Sequence, residues 1–118
     1  MKYEWIDGYL LSKKGVEKDF KEEWGCFRYR IFDKMFAYVG GDKYGKPIIT
    51  MKIEPLYGDF LKNQYNDIVP GYYANKTHWV SLYLEGNVDD ETVRQMLDNS
   101  YKTIIASLPK KYQREILE

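Results

Sequence analysis

Hydrophobic spacing divides the chain into a short series of helices and strands. Over residues 3–14, Trp5, Ile6, Tyr9 and Leu10 recur at helical spacing, and Gly15 stands where a helix stops. Residues 15–25 are mixed, with Val16 and Phe20 as isolated apolar anchors and Trp24-Gly25 closing the stretch. Residues 26–32 then alternate, Phe27, Tyr29 and Ile31 against Arg28 and Arg30, which predicts a half-buried strand. Asp33-Lys34 reads as a tight turn into a second strand over 35–39. A polar, glycine-rich loop over 40–46 leads to a third strand over 48–53, where Lys52 shares a face with Ile48 and Thr50.

Pro55 suits the first turn of a helix, and Leu56, Phe60, Leu61 and Tyr65 supply its stripe. Residues 79–84 alternate again and stop at Glu85-Gly86-Asn87. Asp89 has the chemistry of an N-cap, and Asp90 and Glu91 suit the positive end of a helix. Val93, Met96, Leu97, Tyr101, Ile104, Ile105 and Leu108 continue as one long stripe until Pro109 breaks it. Residues 110–117 add a last short helix with Lys110, Lys111 and Arg114 outward. The order is helix, three strands, helix, strand, long helix. No strand–helix–strand unit repeats, so the expected fold is α+β: a single domain over 1–118, an antiparallel sheet with helices packed on it.

Composition narrows the function more than the fold. At 118 residues, 44% apolar and 31% charged, the chain has the make-up of one soluble globular domain. Aromatic residues reach 17%, twelve of them tyrosines, which suit both core margins and contact surfaces. Eighteen basic and eighteen acidic residues cancel, which counts against nonspecific nucleic-acid binding while allowing a local basic face. Cys26 is the only cysteine and His78 the only histidine, so an internal disulfide and the usual zinc sets are excluded. No cofactor or metal is expected. No apolar run matches a membrane span, and the first residues lack a signal-peptide pattern. The expectation is a cytoplasmic monomer with no membrane contact.

The candidate chemistry gathers in Val69-Pro-Gly-Tyr-Tyr-Ala-Asn-Lys-Thr-His-Trp79. Tyr72, Tyr73 and Trp79 offer ring faces, and Lys76 offers charge among them. Further basic candidates are Arg28 and Arg30 on one strand face, and Lys110, Lys111 and Arg114 at the chain's end. Cations that reach phosphates, interleaved with rings that stack on bases, suit nucleic acid; the same set suits a peptide or small anion. Asn75 carries the group that reads adenine, and also the group that bonds its own turn. His78 would titrate near neutrality, but no nucleophile or orienting carboxylate is placed beside it by motif, so a nonenzymatic protein is expected. Cys26, opening an alternating strand, reads as a small buried hydrophobe. Glu17, Asp19, Glu22 and Glu23 match no calcium-loop spacing and read as a solvated, charge-balanced surface. The 40–46 loop lacks both the Walker spacing and a following helix.

The same eleven residues, followed by Val80-Ser-Leu-Tyr-Leu-Glu-Gly86, closely resemble the signature of the MmcQ/YjbR family of small bacterial proteins. Lys34-Met-Phe-Ala37, Met51-Lys52, Asp98-Asn-Ser-Tyr101 and Leu108-Pro109 add weaker matches, so the resemblance runs from about Gly15 to Lys111. It implies an α+β domain of YjbR-like, double-wing or frataxin-like topology, and a DNA-binding role by analogy of fold. It supplies no catalytic residues. The signature falls on Asn75, Lys76, His78 and Trp79, with Lys52 and Tyr73 as neighbours. The leading expectation is a DNA-binding protein, regulatory in role, that uses a sheet face and residues 72–79, with Lys76, Arg28 and Arg30 on phosphates. The alternative is a small anionic ligand or peptide held by Lys52, Tyr73, Asn75, His78 and Trp79.

Overall fold

A computed structural model describes residues 2–117. Its helices are α1 (Trp5–Leu11), α2 (Pro55–Gln64), α3 (Asp90–Ala106) and α4 (Lys110–Leu117). Its strands are β1 (Glu17–Lys21), β2 (Cys26–Ile31), β3 (Lys34–Gly41), β4 (Pro47–Lys52), β5 (Ile68–Pro70) and β6 (Trp79–Tyr83). They form one antiparallel sheet in the order β1-β2-β3-β4-β6-β5. None of the described helices is long and apolar enough to cross a membrane.

Period-two alternation sorts the strand residues into two faces. Tyr29, Ala37, Met51 and Val80 are cross-strand neighbours in one row, and Val39, Ile49, Leu82 and Ile68 in the next. These rows meet Leu10 of α1, Leu61 of α2 and Val93, Met96, Leu97 and Ile104 of α3 in a single core cluster. Phe36 joins them through an irregularity: β2 advances one residue, Tyr29 to Arg30, while β3 advances two, Ala37 to Met35. The extra residue turns the Phe36 ring into the core and leaves Met35 opposite Arg30 on the far face. Helix α3 starts as its sequence predicts, with the Asp89 carboxylate accepting from the Thr92 N–H at 3.0 Å.

Four sequence expectations need correction. The sheet has six strands where the spacing predicted four, and the added ones, β1 and β5, are its two edges. An edge strand can be short, charged and non-alternating, as Glu-Lys-Asp-Phe-Lys and Ile-Val-Pro are, so hydrophobic period does not reveal it. In α2, Leu61 and Gly58 face the sheet, while Leu56 and Phe60 of the expected stripe are exposed. A Cβ on Gly58 would lie 2.9 Å from Ile53 Cγ2, which explains why the smallest residue takes the contact position. The β2–β3 turn is Phe32-Asp33 rather than Asp33-Lys34, both residues having positive φ (47° and 64°) as a type I′ hairpin requires. Phe27 is exposed beside Phe20, because both lie where the helix layer ends.

Candidate functional site

The helices leave the other face of the sheet open. The register aligns Asp19, Arg28, Tyr38, Thr50 and Ser81 across it, with Lys52 opposite Trp79 and Ile48 opposite Tyr83. Cys26, Tyr38 and Ile48 are buried here, outside the main core cluster, because residues 71–78 fold back over the sheet.

A polar network holds that loop down. Thr50 Oγ1 and Ser81 Oγ are 2.6 Å apart, and Ser81 Oγ accepts from the Tyr72 N–H at 3.0 Å. The Tyr38 hydroxyl donates to the Tyr72 carbonyl. The Tyr72 and Tyr83 hydroxyls lie 3.2 Å apart, and Tyr83 donates to Asp42 at 2.8 Å. Burial opposes ionisation of Asp42, but the Lys46 N–H, the Tyr83 hydroxyl and the Tyr44 N–H outweigh it and hold the carboxyl below its usual range. The Tyr83 phenol is pushed up, by its bond to Tyr72, by burial and by the adjacent carboxylate. At the loop's hinge, a Cβ on Gly71 would lie 2.7 Å from Trp79 Cβ, so only glycine fits so close to the strand.

Between this loop and the β1–β2 turn lies a groove of about 470 Å³ along β3. Trp24, Cys26, Met35, Tyr38, Tyr73 and Ala74 line it, together with the backbone of Gly40 and Gly41. Trp24 is 57% exposed and Tyr73 76% exposed, one on each side. Tyr73 sits at φ 58°, a left-handed conformation that a bulky side chain adopts at a cost of about 1–2 kcal/mol. The loop thus presents this ring outward against a local backbone preference. At the floor, burial pushes the Cys26 thiol up, only partly countered by the Arg28 guanidinium.

The expected site residues divide sharply. Tyr73 lines the groove, while Tyr72 and Trp79 anchor the loop and its strand. Asn75 is a turn residue: its Oδ1 accepts from the N–H groups of Thr77 and His78 at 2.9 and 3.1 Å. Lys76 closes the same loop by donating to the Gly71 carbonyl at 2.7 Å. His78 is exposed; its carbonyl accepts from Ile53, and its imidazole meets no carboxylate or thiol within hydrogen-bond distance among the described residues. Lys52 is half-buried opposite Trp79 and forms no ion pair among the described residues.

The arginines are less available than the sequence suggests. Arg28 makes a bidentate pair with Asp19, at 2.8 and 2.6 Å, and Arg30 reaches Asp19 at 3.3 Å and Asp33 at 3.2 Å. The hydrogen bond from Arg28 in turn holds the Asp19 carboxyl below its usual range. Lys110, Lys111 and Arg114 lie exposed on α4, which docks at the β2–β3 turn through Phe32 stacked on Tyr112, ring centroids 4.4 Å apart. They do not line the groove. Of the expected pocket residues Lys52, Tyr73, Asn75, His78 and Trp79, the groove is lined by Tyr73 alone.

Sequence reading passed over Trp24, Met35, Tyr38, Thr50, Ser81, Tyr83 and Asp42. A usable signal existed for Thr50 and Ser81: each is the central member of an alternating set, Ile48-Thr50-Lys52 and Trp79-Ser81-Tyr83, whose other phase is wholly apolar in Ile49-Met51 and Val80-Leu82. Among the described residues no three His, Cys, Asp or Glu side chains come together in a metal-binding group.

A family model described as YjbR matches residues 11–103. The uncharacterized protein YjbR of Escherichia coli K12 is 26% identical over 110 residues, spanning 93% of this chain and 92% of that protein. The uncharacterized protein YyaQ of Bacillus subtilis 168 is 33% identical over 64 residues, 53% of each chain. The crystal structure of Deinococcus radiodurans DR2400, described as a DUF419 domain, matches with TM-score 0.81 at 24% identity, covering 94% of this chain and 84% of that one. A Pseudomonas syringae crystal structure matches with TM-score 0.74 at 21% identity, covering 87% and 98% respectively. At these identities the two structures share the fold.

Proposed function

This chain belongs to the YjbR family, and from that premise we propose that it binds DNA through the open face of its sheet, favouring single strands whose bases are already unpaired. The observation that carries the reading is the pair of exposed rings, Trp24 and Tyr73, flanking an apolar groove on a face the helices leave bare. Ring faces bind any base by stacking, which needs bases freed from their partners. Phosphates would meet Lys43 and Lys46, in the loop that continues the groove's Gly40-Gly41 wall, and Lys52 at the far end of β4. None of these three lysines forms an ion pair among the described residues. Duplex recognition is the weaker form of the proposal, because Arg28 and Arg30 are already engaged by Asp19.

The charge balance fixes what binding should look like. With three lysines placed to meet phosphates, few counterions are displaced, so affinity for single-stranded DNA should fall only shallowly with salt. Titration of intrinsic tryptophan fluorescence with single-stranded and duplex oligonucleotides at low and moderate salt tests the proposal. Trp24→Ala and Tyr73→Ala should each weaken single-strand binding by about 1–3 kcal/mol. No binding at low salt, or affinity untouched by both variants, ends it.

A second reading, a nonenzymatic domain for a small anionic ligand or peptide, is favoured by the groove's concave, apolar lining of Cys26, Met35 and Tyr38. Under that reading a mononucleotide or an aromatic peptide binds as tightly as an oligonucleotide, and the same titration separates the two.

A further inference from the structure

The outer edge of β1 carries a pattern of its own. This strand pairs only with β2, so its other side presents unpaired backbone groups. Beside that edge, Phe20 and Phe27 are 50% and 44% exposed and pack edge-to-face with ring centroids 4.9 Å apart. Such an edge invites a further strand, and the question is whose.

We propose that the occupant is a second copy of this chain, whose β1 adds antiparallel about a two-fold axis at Phe20. In that register Phe20 opposes Phe20 of the partner subunit, Asp19 opposes the partner's Lys21, and Lys18 opposes the partner's Glu22. Over residues 18–22 both opposed charge pairs are complementary, Glu17 comes opposite the partner's Glu23 only beyond the strand in the β1–β2 turn, and the four phenylalanine rings merge into one cluster. Neighbouring registers are worse. A one-residue slip sets Lys18 against the partner's Lys21, or Asp19 against the partner's Glu22. A two-residue slip sets Asp19 against the partner's Asp19, or Lys21 against the partner's Lys21. Each puts like charges directly opposite, which is destabilising. Asp19 already accepts from Arg28 and Arg30, while Arg30 also pairs with Asp33, Lys18 with Asp7 and Lys21 with Glu23, so the joined edges stay close to charge balance. Directly opposed residues share a face, so the dimer would carry both grooves on the same side of one continuous sheet. This proposal is independent of what the groove binds.

A register-specific crosslink tests it. Opposed residues of an antiparallel pair have Cα atoms about 4.5–5.5 Å apart, within disulfide reach. Phe20→Cys in a Cys26→Ser background should form a disulfide dimer on mild oxidation. Lys18→Cys in the same background should not, because Lys18 and its symmetry mate stand four residues apart along the ladder, roughly 13 Å. In parallel, light scattering of the unmodified chain should show a dimer fraction rising with concentration, and Phe20→Lys should raise the dimer dissociation constant by about tenfold or more. Because Phe20 is half exposed, that variant should keep the parent's thermal unfolding. A chain monomeric at every concentration, equal crosslinking at both cysteines, or a dimer indifferent to Phe20→Lys overturns the proposal.

Discussion

The two faces of the sheet are made from alternate residues of the same strands, yet different physics holds each. Against the helices, Ile49, Met51, Val80 and Leu82 pack into an apolar core whose stabilisation scales with the area removed from water. On the open face, Thr50, Ser81, Tyr38 and Tyr83 hold a loop by directed hydrogen bonds. The first face tolerates conservative apolar exchange; the second depends on every partner being present. A buried polar group left without its partner loses water's hydrogen bonds and gains nothing in return. That difference is why the proposed function is sought on the open face: a dry core offers no accessible chemistry, while a loop stapled over a polar layer can present rings such as Tyr73 to solvent.

The contrast can be broken from the core side with the largest effect. Leu82→Ala should cost about 2–5 kcal/mol in chemical denaturation, from lost transfer energy plus the cavity it leaves. The loop side should respond less in stability and more in shape. Gly71→Ala forces a Cβ to 2.7 Å from Trp79 Cβ and should cost about 1–3 kcal/mol, with Tyr73 displaced and the groove altered in the same variant. If Gly71→Ala leaves both stability and groove binding intact, the hinge account fails.

A comparable effect probes the network itself. Ser81→Ala removes the acceptor of the Tyr72 N–H and the partner of Thr50, and should cost about 1–3 kcal/mol. Combined with Thr50→Val it should cost less than the sum, and a double-mutant cycle showing strict additivity would contradict the network. The smallest effect lies in pH. The folded pKa of Asp42 sits below its unfolded value, so its contribution is present above the ordinary carboxylate range and is lost as pH falls through the folded value. Asp42→Asn should therefore lower thermal stability at neutral pH, where the ionised carboxylate contributes, converge on the parent at low pH, and so flatten the acid limb of the profile.

The core face was legible in sequence because burial against helices imposes a period on both partners. The stripe from Val93 to Leu108, the Asp89 cap and the alternation of β2, β4 and β6 all follow from that demand. The edges were not legible, since neither β1 nor β5 is asked to alternate. Phe20, read as an isolated apolar anchor, lies at half exposure on the outermost strand. The residues 69–79 were legible as a place but not as parts. Asn75 and Lys76, the most suggestive polar groups, bond to their own loop, and the groove instead recruits Trp24 from the β1–β2 turn and Met35 from β3, both distant in sequence.

By itself, the sequence determined the elements, their inward faces and the family, because each rests on local spacing or on a contiguous run of residues. Only the tertiary structure decided which cations are free, which rings are exposed and where the groove runs. Those properties depend on what stands opposite a side chain: Arg28 looks like a phosphate contact until β1 brings Asp19 across from it. Pairing between strands is set by the summed demand of the whole sheet, and no window of the chain contains it.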